Sequence, residues 1–280
     1  MNIIRKRMPP EHFFSEKSKG WDRIRTRLNL HRLILLLLDY DGTIVPIRKK
    51  PTLAVLSAKT RDILRHLAGQ PNIFLGIVTG RSLQDIKSMV NLKNISYIAN
   101  HGFQIVFDRK NWVHPAAQHS FPSMRKIFTA LKNSLRYIPG VMVENKLLTL
   151  SVHYRNLTRT PVNHVKKIVE RVVRSFPDSC RVTKGKKVIE IRPDVDWDKG
   201  YATIKMLKMI KFPSRPLVVY IGDDRTDEDV FRHLFNTTAI TIRVGRNNRS
   251  SAKYYVKNTA EVKKLLKSIQ NYSMIMNLEF

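Results

Sequence analysis

The chain has 280 residues, 42% of them hydrophobic, with 51 Lys or Arg against 22 Asp or Glu, which gives a formal net charge of +29. This length and hydrophobic content exclude a disordered chain and indicate a globular protein with one large or two ordinary domains. The single cysteine, Cys180, excludes an internal disulfide framework and favours a reducing compartment.

The first 29 residues are predicted to form a basic N-terminal extension that leads into a short helix near the first strand. Basic side chains cluster at residues 5–7 and again at Arg23, Arg25 and Arg27, without a sustained hydrophobic period. No apolar run typical of a secretory signal precedes Pro9 and Pro10. We therefore expect a soluble, cytoplasmic protein without membrane association.

The first predicted strand is formed by six consecutive aliphatic residues at 33–38, a pattern typical of a strand buried on both faces of a parallel sheet. Asp39 and Asp41 follow at its carboxyl end, and Gly42 permits a sharp turn there. Open α/β folds bind their ligands at this edge. Because neighbouring carboxylates repel unless a cation or a shared proton lies between them, the pattern favours a reactive pair over an ordinary Asp-Gly turn.

A helix over residues 54–68 and a second buried strand over residues 73–78 follow, ending at Thr79. A hydroxyl group at a strand-to-helix turn, with the N–H groups of the next helix, can hold a phosphoryl oxygen. The same residues are also common in ordinary turns, so the sequence leaves both interpretations open. A third strand at residues 96–99 leads to His101, which is equally compatible with a turn and with a site.

The pattern changes from about residue 121, where an amphipathic helix is predicted, followed by two strands, a helix that Pro161 opens, and two more strands. This order predicts a small two-layer α+β domain with its own antiparallel sheet, inserted into a larger α/β domain. The predicted division is an extension over 1–29, a core over 30–115 and 196–280, and a cap over 116–195.

The larger fold resumes with a helix that carries Lys199 at its amino end, where an ammonium group is unfavourable unless an anion lies nearby. A site lysine is favoured here over a solvated one. A buried strand at residues 217–221 then ends in five acids within seven residues, from 223 to 229. Thr226 is predicted to cap a helix whose first turn holds the last three acids, which leaves Asp223 and Asp224 to be explained.

Two acidic clusters at strand ends of one sheet can form the oxygen-ligand site that Mg²⁺ takes, together with water and a substrate phosphate. No His or Cys spacing indicates a competing metal. In such a site one aspartate can attack phosphorus to form an aspartyl-phosphate while a second serves as acid and base, and Lys199 offsets the phosphoryl charge. No Walker-type loop is present in the sequence.

Four motifs carry a resemblance to the haloacid dehalogenase superfamily: residues 39–43, residues 78–81, Lys199 and residues 222–224. More narrowly, the segments at 143–146, 152–155, 185–193 and 222–228 resemble the trehalose-6-phosphate phosphatases. The similarity covers roughly residues 33–244.

The resemblance implies an α/β fold with a Rossmann-like parallel-sheet core and an inserted, mobile α+β cap. It implies the following catalytic roles: Asp39 as nucleophile, Asp41 as general acid and base, and Thr79 and Lys199 as phosphoryl ligands. The implied Mg²⁺ site consists of Asp39, the carbonyl of Asp41, and Asp223, with Asp224 and Asp227 supporting it. The implied substrate-binding residues are Arg81, His101, Glu144, Lys146, Arg155, Lys186 and Glu190.

The spacing of the cap residues agrees with such a role. Glu144 and Lys146 are two residues apart, as are Lys186, Val188 and Glu190 in alternation, so each set can project from one face of a strand. The first pairing would fail if Asn145 were in a turn. Charged groups on one face can recognise a polyol through hydrogen bonds, which an apolar pocket cannot do.

The sequence thus predicts a Mg²⁺-dependent hydrolase of trehalose 6-phosphate, monomeric, with a small sugar phosphate as its partner. The nearest alternative is another sugar phosphatase of the superfamily, for example one that acts on sucrose phosphate. The net charge of +29 prompts a third alternative, a polyanion-binding protein on an inactive phosphatase fold. Because the basic residues are dispersed and no nucleic-acid-binding motif accompanies them, nucleic acid is not expected as a partner.

Overall fold

The computed structural model describes residues 8–16, 19–30, 33–108, 110–176, 180–185, 187–210 and 216–276. The chain divides into two compact units, the first made of Met1–Asn111 and Asp198–Phe280 and the second of Trp112–Trp197.

The described part of the chain contains the following strands: β1 (Glu11–His12), β2 (Ile34–Asp39), β3 (Ile73–Val78), β4 (Ser96–Ala99), β5 (Gln104–Phe107), β6 (Lys110–Val113), β7 (Met142–Asn145), β8 (Leu150–His153), β9 (Cys180–Gly185), β10 (Val188–Pro193), β11 (Leu217–Gly222), β12 (Ile240–Val244) and β13 (Tyr254–Val256). It contains the following α-helices: α1 (Gly20–Leu30), α2 (Ala58–Ala68), α3 (Leu83–Val90), α4 (Pro115–Leu135), α5 (Val162–Arg174), α6 (Lys199–Met209), α7 (Asp227–Leu234) and α8 (Thr259–Met276).

A large, mostly parallel sheet organises the first unit, with strand order β1-β13-β12-β11-β2-β3-β4-β5-β6. Strand β2 lies in its interior, between β11 and β3, and all six of its residues are buried. Its last residue, Asp39, pairs with Val78, and Leu38 pairs with Ile221. The register therefore brings the carboxyl ends of β2, β3 and β11 to the same edge of the sheet.

The prediction of an α/β fold with a parallel-sheet core is confirmed, and strands β3 and β4 have the predicted bounds. Helix α2 begins four residues later than predicted. The Ser57 side chain accepts a hydrogen bond from the N–H of Thr60 and so caps the helix at that point, while Pro51–Leu53 forms a separate 3-10 turn.

The helix predicted from about residue 121 begins earlier, at Pro115. His114 caps it, because its Nδ1 accepts a hydrogen bond from the N–H of Ala116, and Pro115 occupies the first turn, where a missing N–H is tolerated. Pro122 lies inside the helix. The earlier start was missed because capping by His114 depends on side-chain geometry that a hydrophobic pattern does not show.

The second unit contains a four-stranded antiparallel sheet, with order β7-β8-β10-β9, as the element order predicted. Alternate residues of its strands form an apolar face that packs with α4 and α5, and this cluster includes Leu150, Val152, Ile189, Ile127 and Val169. The opposite face carries polar and charged side chains. Of the helices in the described residues, none is both long and apolar enough to cross a bilayer.

Candidate active site

The turn after β2 brings two acidic segments into contact. Asp39 is buried at the end of the strand, and Gly42 follows with a φ of +90°, its N–H donating to the carbonyl of Val45. A Cβ atom on residue 42 would lie 2.3 Å from Oδ2 of Asp223, at the end of β11. Glycine is therefore required here both by the backbone conformation and by the close approach of Asp223.

Lys199 is the cation of this sheet edge. It is buried at the start of α6, and its Nζ donates to Oδ1 of Asp39 and to Oδ1 of Asp227, each at 2.9 Å. Burial alone would lower the pKa of Lys199, but the charges of Asp227 and Asp39 outweigh it and raise this pKa well above its ordinary value. The anion expected beside an ammonium group at a helix start is thus provided by two carboxylates.

Asp227 is fully buried and accepts four hydrogen bonds, including that of Lys199. Its Oδ1 accepts from the Tyr220 hydroxyl at 2.7 Å, and its Oδ2 accepts from the N–H groups of Asp223 and Asp224 at 2.9 and 3.0 Å. The carboxylate therefore fixes the backbone turn that presents Asp223. Tyr220 was not identified from the sequence, although a tyrosine within an otherwise aliphatic strand just before the acids is a usable signal.

Asp224 caps α7 through its side chain. Its Oδ1 accepts from the N–H and hydroxyl of Thr226 and from the N–H of Asp227, whereas the Thr226 hydroxyl makes no capping hydrogen bond. The expected cap at Thr226 is thus wrong, because the turn places the Asp224 carboxylate nearer the free N–H groups. Burial raises the pKa of Asp224, but Lys199 and the bonds from Thr226 and Asp227 lower it to about 2.

Three of the carboxylates fit a hard cation. Asp39, Asp223 and Asp227 each offer an oxygen, and these oxygens lie within 4.8 Å of one another. Burial, and after it the charge of Asp227, raises the pKa of Asp39 well above its ordinary value, although Lys199 acts to lower it. Since one ammonium group does not balance these acids, and since oxygen donors suit Mg²⁺, the donor set fits that ion.

Asp41, two residues after Asp39, is in contact with Arg81. The Arg81 guanidinium donates to Oδ2 and Oδ1 of Asp41 at 2.6 and 2.8 Å, and also to Asp85 and to the carbonyl of Pro51. The Asp41 side chain is 40% exposed. Most donors of Arg81 are therefore engaged by the protein itself.

Thr79 and His101 lie together beyond the end of β3. Both are buried, and the N–H of His101 donates to the carbonyl of Thr79. A Cβ atom on Gly80 would lie 2.2 Å from the His101 ring, so Gly80 leaves the space that the ring fills. His101 has a φ of +57°, an uncommon conformation that agrees with both the turn and the site interpretation.

A second group of predicted residues lies on the polar face of the sheet in the second unit. Glu144, on β7, contacts His153 through its Oε2, 2.7 Å from Nε2 of the imidazole. Glu190, on β10, accepts a hydrogen bond from Ser151 at 2.9 Å, and its Oε1 lies 3.5 Å from Nζ of Lys146.

The structure therefore places Glu144 in contact with His153, and Glu190 in contact with Ser151 and Lys146. The charge of Lys146 also lowers the pKa of Glu144. Asn145 is the last residue of β7, and Lys146 follows the end of the strand. Arg155 is half-buried, two residues beyond β8. Lys186 lies outside the described residues. Ser151 and His153 were missed as members, although their alternation on β8 was visible in the sequence.

Comparison with known proteins places both groups of residues within one family match. The chain matches the family described as trehalose-phosphatase over residues 37–263. It is 35% identical over 212 residues to trehalose-phosphate phosphatase B of Arabidopsis thaliana, covering 72% of this chain and 56% of that protein. It is also 35% identical over 255 residues to trehalose 6-phosphate phosphatase RA3 of Zea mays, covering 85% of this chain and 70% of that protein.

Among solved structures, a trehalose-6-phosphate phosphatase related protein superimposes with a TM-score of 0.76 and 26% identity, covering 88% of this chain and 100% of that one. The chain spans only a little more than half the length of the Arabidopsis relative. The family match nevertheless extends from before Asp39 to beyond Asp227, and so includes the acidic sheet edge and the polar sheet face together. On this match the predicted family is confirmed, and the chain belongs to the trehalose-phosphatase family.

Proposed function

We propose that the chain is a Mg²⁺-dependent phosphatase that hydrolyses trehalose 6-phosphate to trehalose and phosphate. The observation that carries this proposal is the buried ammonium group of Lys199, held 2.9 Å from both Asp39 and Asp227 at the carboxyl ends of parallel strands. A buried cation among carboxylates, at the edge where α/β folds bind ligands, suits the transfer of a dianionic phosphoryl group.

In the proposed reaction a carboxylate oxygen of Asp39 attacks phosphorus, and the bond from phosphorus to the sugar oxygen breaks. Asp41 gives its proton to the departing sugar oxygen, which leaves as a hydroxyl group. Water then attacks phosphorus of the aspartyl-phosphate and transfers a proton to Asp41, so that phosphate is released and the Asp39 carboxylate is restored. At the end of the cycle Asp39 is again a free carboxylate and Asp41 is again protonated.

The remaining side chains hold the phosphoryl group and the ion. Phosphoryl oxygens are proposed to be bound by Lys199 and by the Thr79 hydroxyl. Mg²⁺ is proposed to be bound by Asp39, the carbonyl of Asp41 and Asp223. Asp224 and Asp227 support these ligands. When bound, Mg²⁺ supplies positive charge that neutralises phosphoryl oxygens. Asp227 is assigned the supporting position because four hydrogen bonds already use its two oxygens.

The sugar is proposed to be recognised by the polar face of the second unit, through Glu144, Lys146 and Glu190, with Arg155 and Lys186 as further contacts. Arg81 and His101 are the substrate-binding candidates of the first unit. Carboxylate and ammonium groups in a hydrogen-bonded network can discriminate hydroxyl patterns, because a wrong sugar leaves one of them unpaired. This assignment favours a disaccharide phosphate over a small phosphate ester.

The test is phosphate release from a panel of trehalose 6-phosphate, sucrose 6-phosphate, glucose 6-phosphate and an aryl phosphate, each with Mg²⁺ and with EDTA. We expect trehalose 6-phosphate to have the highest kcat/KM and EDTA to abolish turnover of every substrate. A preference for sucrose 6-phosphate would replace the proposed substrate, and turnover that survives EDTA would overturn the proposed cofactor. If none of these substrates is hydrolysed, the proposal that the chain is a phosphatase fails.

A further inference from the structure

The central strand of the polar sheet face places a serine between two of the proposed sugar-binding carboxylates. In the antiparallel register Ser151 of β8 pairs with Glu144 of β7 on one side and with Glu190 of β10 on the other. Directly paired residues of an antiparallel sheet project from the same face. Glu144, Ser151 and Glu190 therefore form a row across three strands.

Ser151 contacts one of these carboxylates directly. Its side chain is fully buried, and Oγ donates a hydrogen bond to Oε2 of Glu190 at 2.9 Å. The other oxygen of Glu190, Oε1, lies 3.5 Å from Nζ of Lys146. Each oxygen of the Glu190 carboxylate thus faces a different neighbour, which fixes the rotation of the group.

His153 contacts the second carboxylate of this row, that of Glu144. It lies two residues beyond Ser151 on β8, hence on the same face, and its Nε2 is 2.7 Å from Oε2 of Glu144. Burial alone would raise the pKa of Glu144, but the hydrogen bond with His153 and the charge of Lys146 lower it. Glu144 is therefore an anion, and as such an acceptor for hydroxyl groups.

We propose that Ser151 and His153 are positioning residues, which orient the Glu190 and Glu144 carboxylates for hydrogen bonds with sugar hydroxyls. The inference rests on the proposed function. An ionised carboxylate has about four lone-pair positions, so a group held by a few neighbours can still accept a hydrogen bond from a ligand. Holding both groups in place beforehand reduces the ordering needed when the sugar binds.

Four variants separate positioning from a general structural role. Ser151→Ala and His153→Leu remove the two hydrogen bonds. His153→Gln keeps a donor near the position of Nε2 and serves as the conservative rescue. Thr183→Val is the matched control, because Thr183 pairs with Glu190 from the opposite side but, among the described residues, its hydroxyl donates no hydrogen bond to that carboxylate.

The measurements are kcat and KM for trehalose 6-phosphate and for an aryl phosphate, together with the melting temperature of each variant. We expect Ser151→Ala and His153→Leu each to raise KM for the sugar phosphate about tenfold with kcat changed less than about threefold, as for a lost hydrogen bond to a charged group. His153→Gln and Thr183→Val should stay within about threefold of the unaltered protein. Kinetics on the aryl phosphate should not change in any variant.

Equal losses on both substrates, or an unchanged KM in Ser151→Ala and His153→Leu, would overturn the inference. If a different sugar phosphate is the best substrate of the unaltered protein, the proposed substrate fails, and the same comparison on that sugar decides the positioning role. If no sugar phosphate is hydrolysed, the proposed function and this inference both fail.

Discussion

Lys199 contributes both to the stability of the fold and to the proposed reaction. Its ammonium group is buried with two carboxylates 2.9 Å away, and breaking a buried ion pair by removing one partner costs about 3–5 kcal/mol because the other charge is left uncompensated. The same cation is proposed to bind the phosphoryl group. Stability and activity should therefore depend on it together.

We predict that Lys199→Met lowers the free energy of unfolding by about 3 kcal/mol or more in EDTA and abolishes phosphate release. Urea unfolding and a phosphate assay measure the two effects. Lys208→Met, at an exposed position of the same helix, is the matched control and should change neither by much. A Lys199→Met protein as stable as the control would show that Lys199 is not the required counter-ion of Asp39 and Asp227.

At the scale of elements, the turn after β2 depends on Gly42 for two separate reasons. Its φ of +90° disfavours a side chain, and a Cβ atom would collide with Asp223. Gly245 has a similar φ of +83°, but a Cβ atom on that residue would meet none of the described atoms within 4 Å. A substitution at Gly245 therefore tests backbone strain alone, whereas the same substitution at Gly42 also displaces Asp223.

We expect Gly245→Ala to lower the free energy of unfolding by about 1 kcal/mol, the usual penalty of a left-handed residue, and to leave turnover unchanged. Gly42→Ala should lower the free energy of unfolding by more than Gly245→Ala does. It should also reduce kcat at least about tenfold, because Asp223 must move. Unfolding curves and kcat for both variants provide the comparison. Equal effects on turnover would mean that the position of Asp223 does not matter for the reaction.

The start of α8 provides a prediction about pH. Glu261 accepts a hydrogen bond from the N–H of Lys257 at 2.7 Å and contacts His12 of β1 at 3.0 Å. Partial burial raises the pKa of Glu261, but these two contacts lower it below the ordinary 4.5. A lowered pKa means that the folded state binds fewer protons, so the stabilisation is complete above pH 4.5 and is lost as the pH falls through the folded-state pKa.

Glu261→Gln should therefore have a lower melting temperature than the unaltered protein at about pH 7, and the difference should shrink at about pH 3. Glu170→Gln, at an exposed position of α5, is the control and should show little difference at either pH. Thermal melts followed by circular dichroism at several pH values give the result. A difference that grows on acidification would contradict the assigned direction of the pKa shift.

Long buried strands were the elements best predicted from the sequence. Strand β3 has the predicted bounds because its run of six apolar residues allows few alternatives, and the shorter strand β4 also has the predicted bounds. The start of α4 was missed, since capping by His114 depends on side-chain geometry that no hydrophobic pattern reveals. Strand β1, two residues paired with β13, is too short to have a pattern.

In the candidate site, too, some residues could be predicted from the sequence and others could not. The sequence singled out Asp39 and Asp223 because acids at the ends of buried strands are unusual, and Lys199 because an ammonium group at a helix start is unfavourable without an anion. The structure brings Lys199 to Asp39, and places Asp223 in the same carboxylate cluster. It did not identify Tyr220 as a partner of Asp227, nor the contact of Ser151 with Glu190. Both are contacts between uncharged and charged side chains, which depend on register and rotamer and leave only a weak trace in the sequence.

For the whole molecule, the net charge of +29 is the property that the proposed site does not explain. A dispersed basic surface attracts a dianionic substrate over long range but does not hold it, and salt screens this attraction. A protein built to bind polyanions would instead make many simultaneous phosphate contacts. The two interpretations differ in their dependence on salt.

We expect rising salt to lower kcat/KM for trehalose 6-phosphate only modestly and to leave kcat nearly unchanged, and we expect duplex DNA to bind weakly. Steady-state kinetics and fluorescence anisotropy across a salt series test this. Each phosphate contact adds a slope of about −0.9 to a plot of log K against log salt. Tight binding of DNA near physiological salt with a steep slope would favour the polyanion-binding alternative.

Phosphate release from trehalose 6-phosphate by the Asp39→Asn variant tests whether the acidic sheet edge around Asp39 carries out phosphate hydrolysis. The amide keeps the shape of the side chain but is a poor nucleophile, so we predict that turnover in saturating Mg²⁺ is abolished while a cooperative thermal transition is retained. The unaltered protein, assayed in parallel, should release phosphate. Substantial turnover by a folded Asp39→Asn protein would show that Asp39 is not the nucleophile.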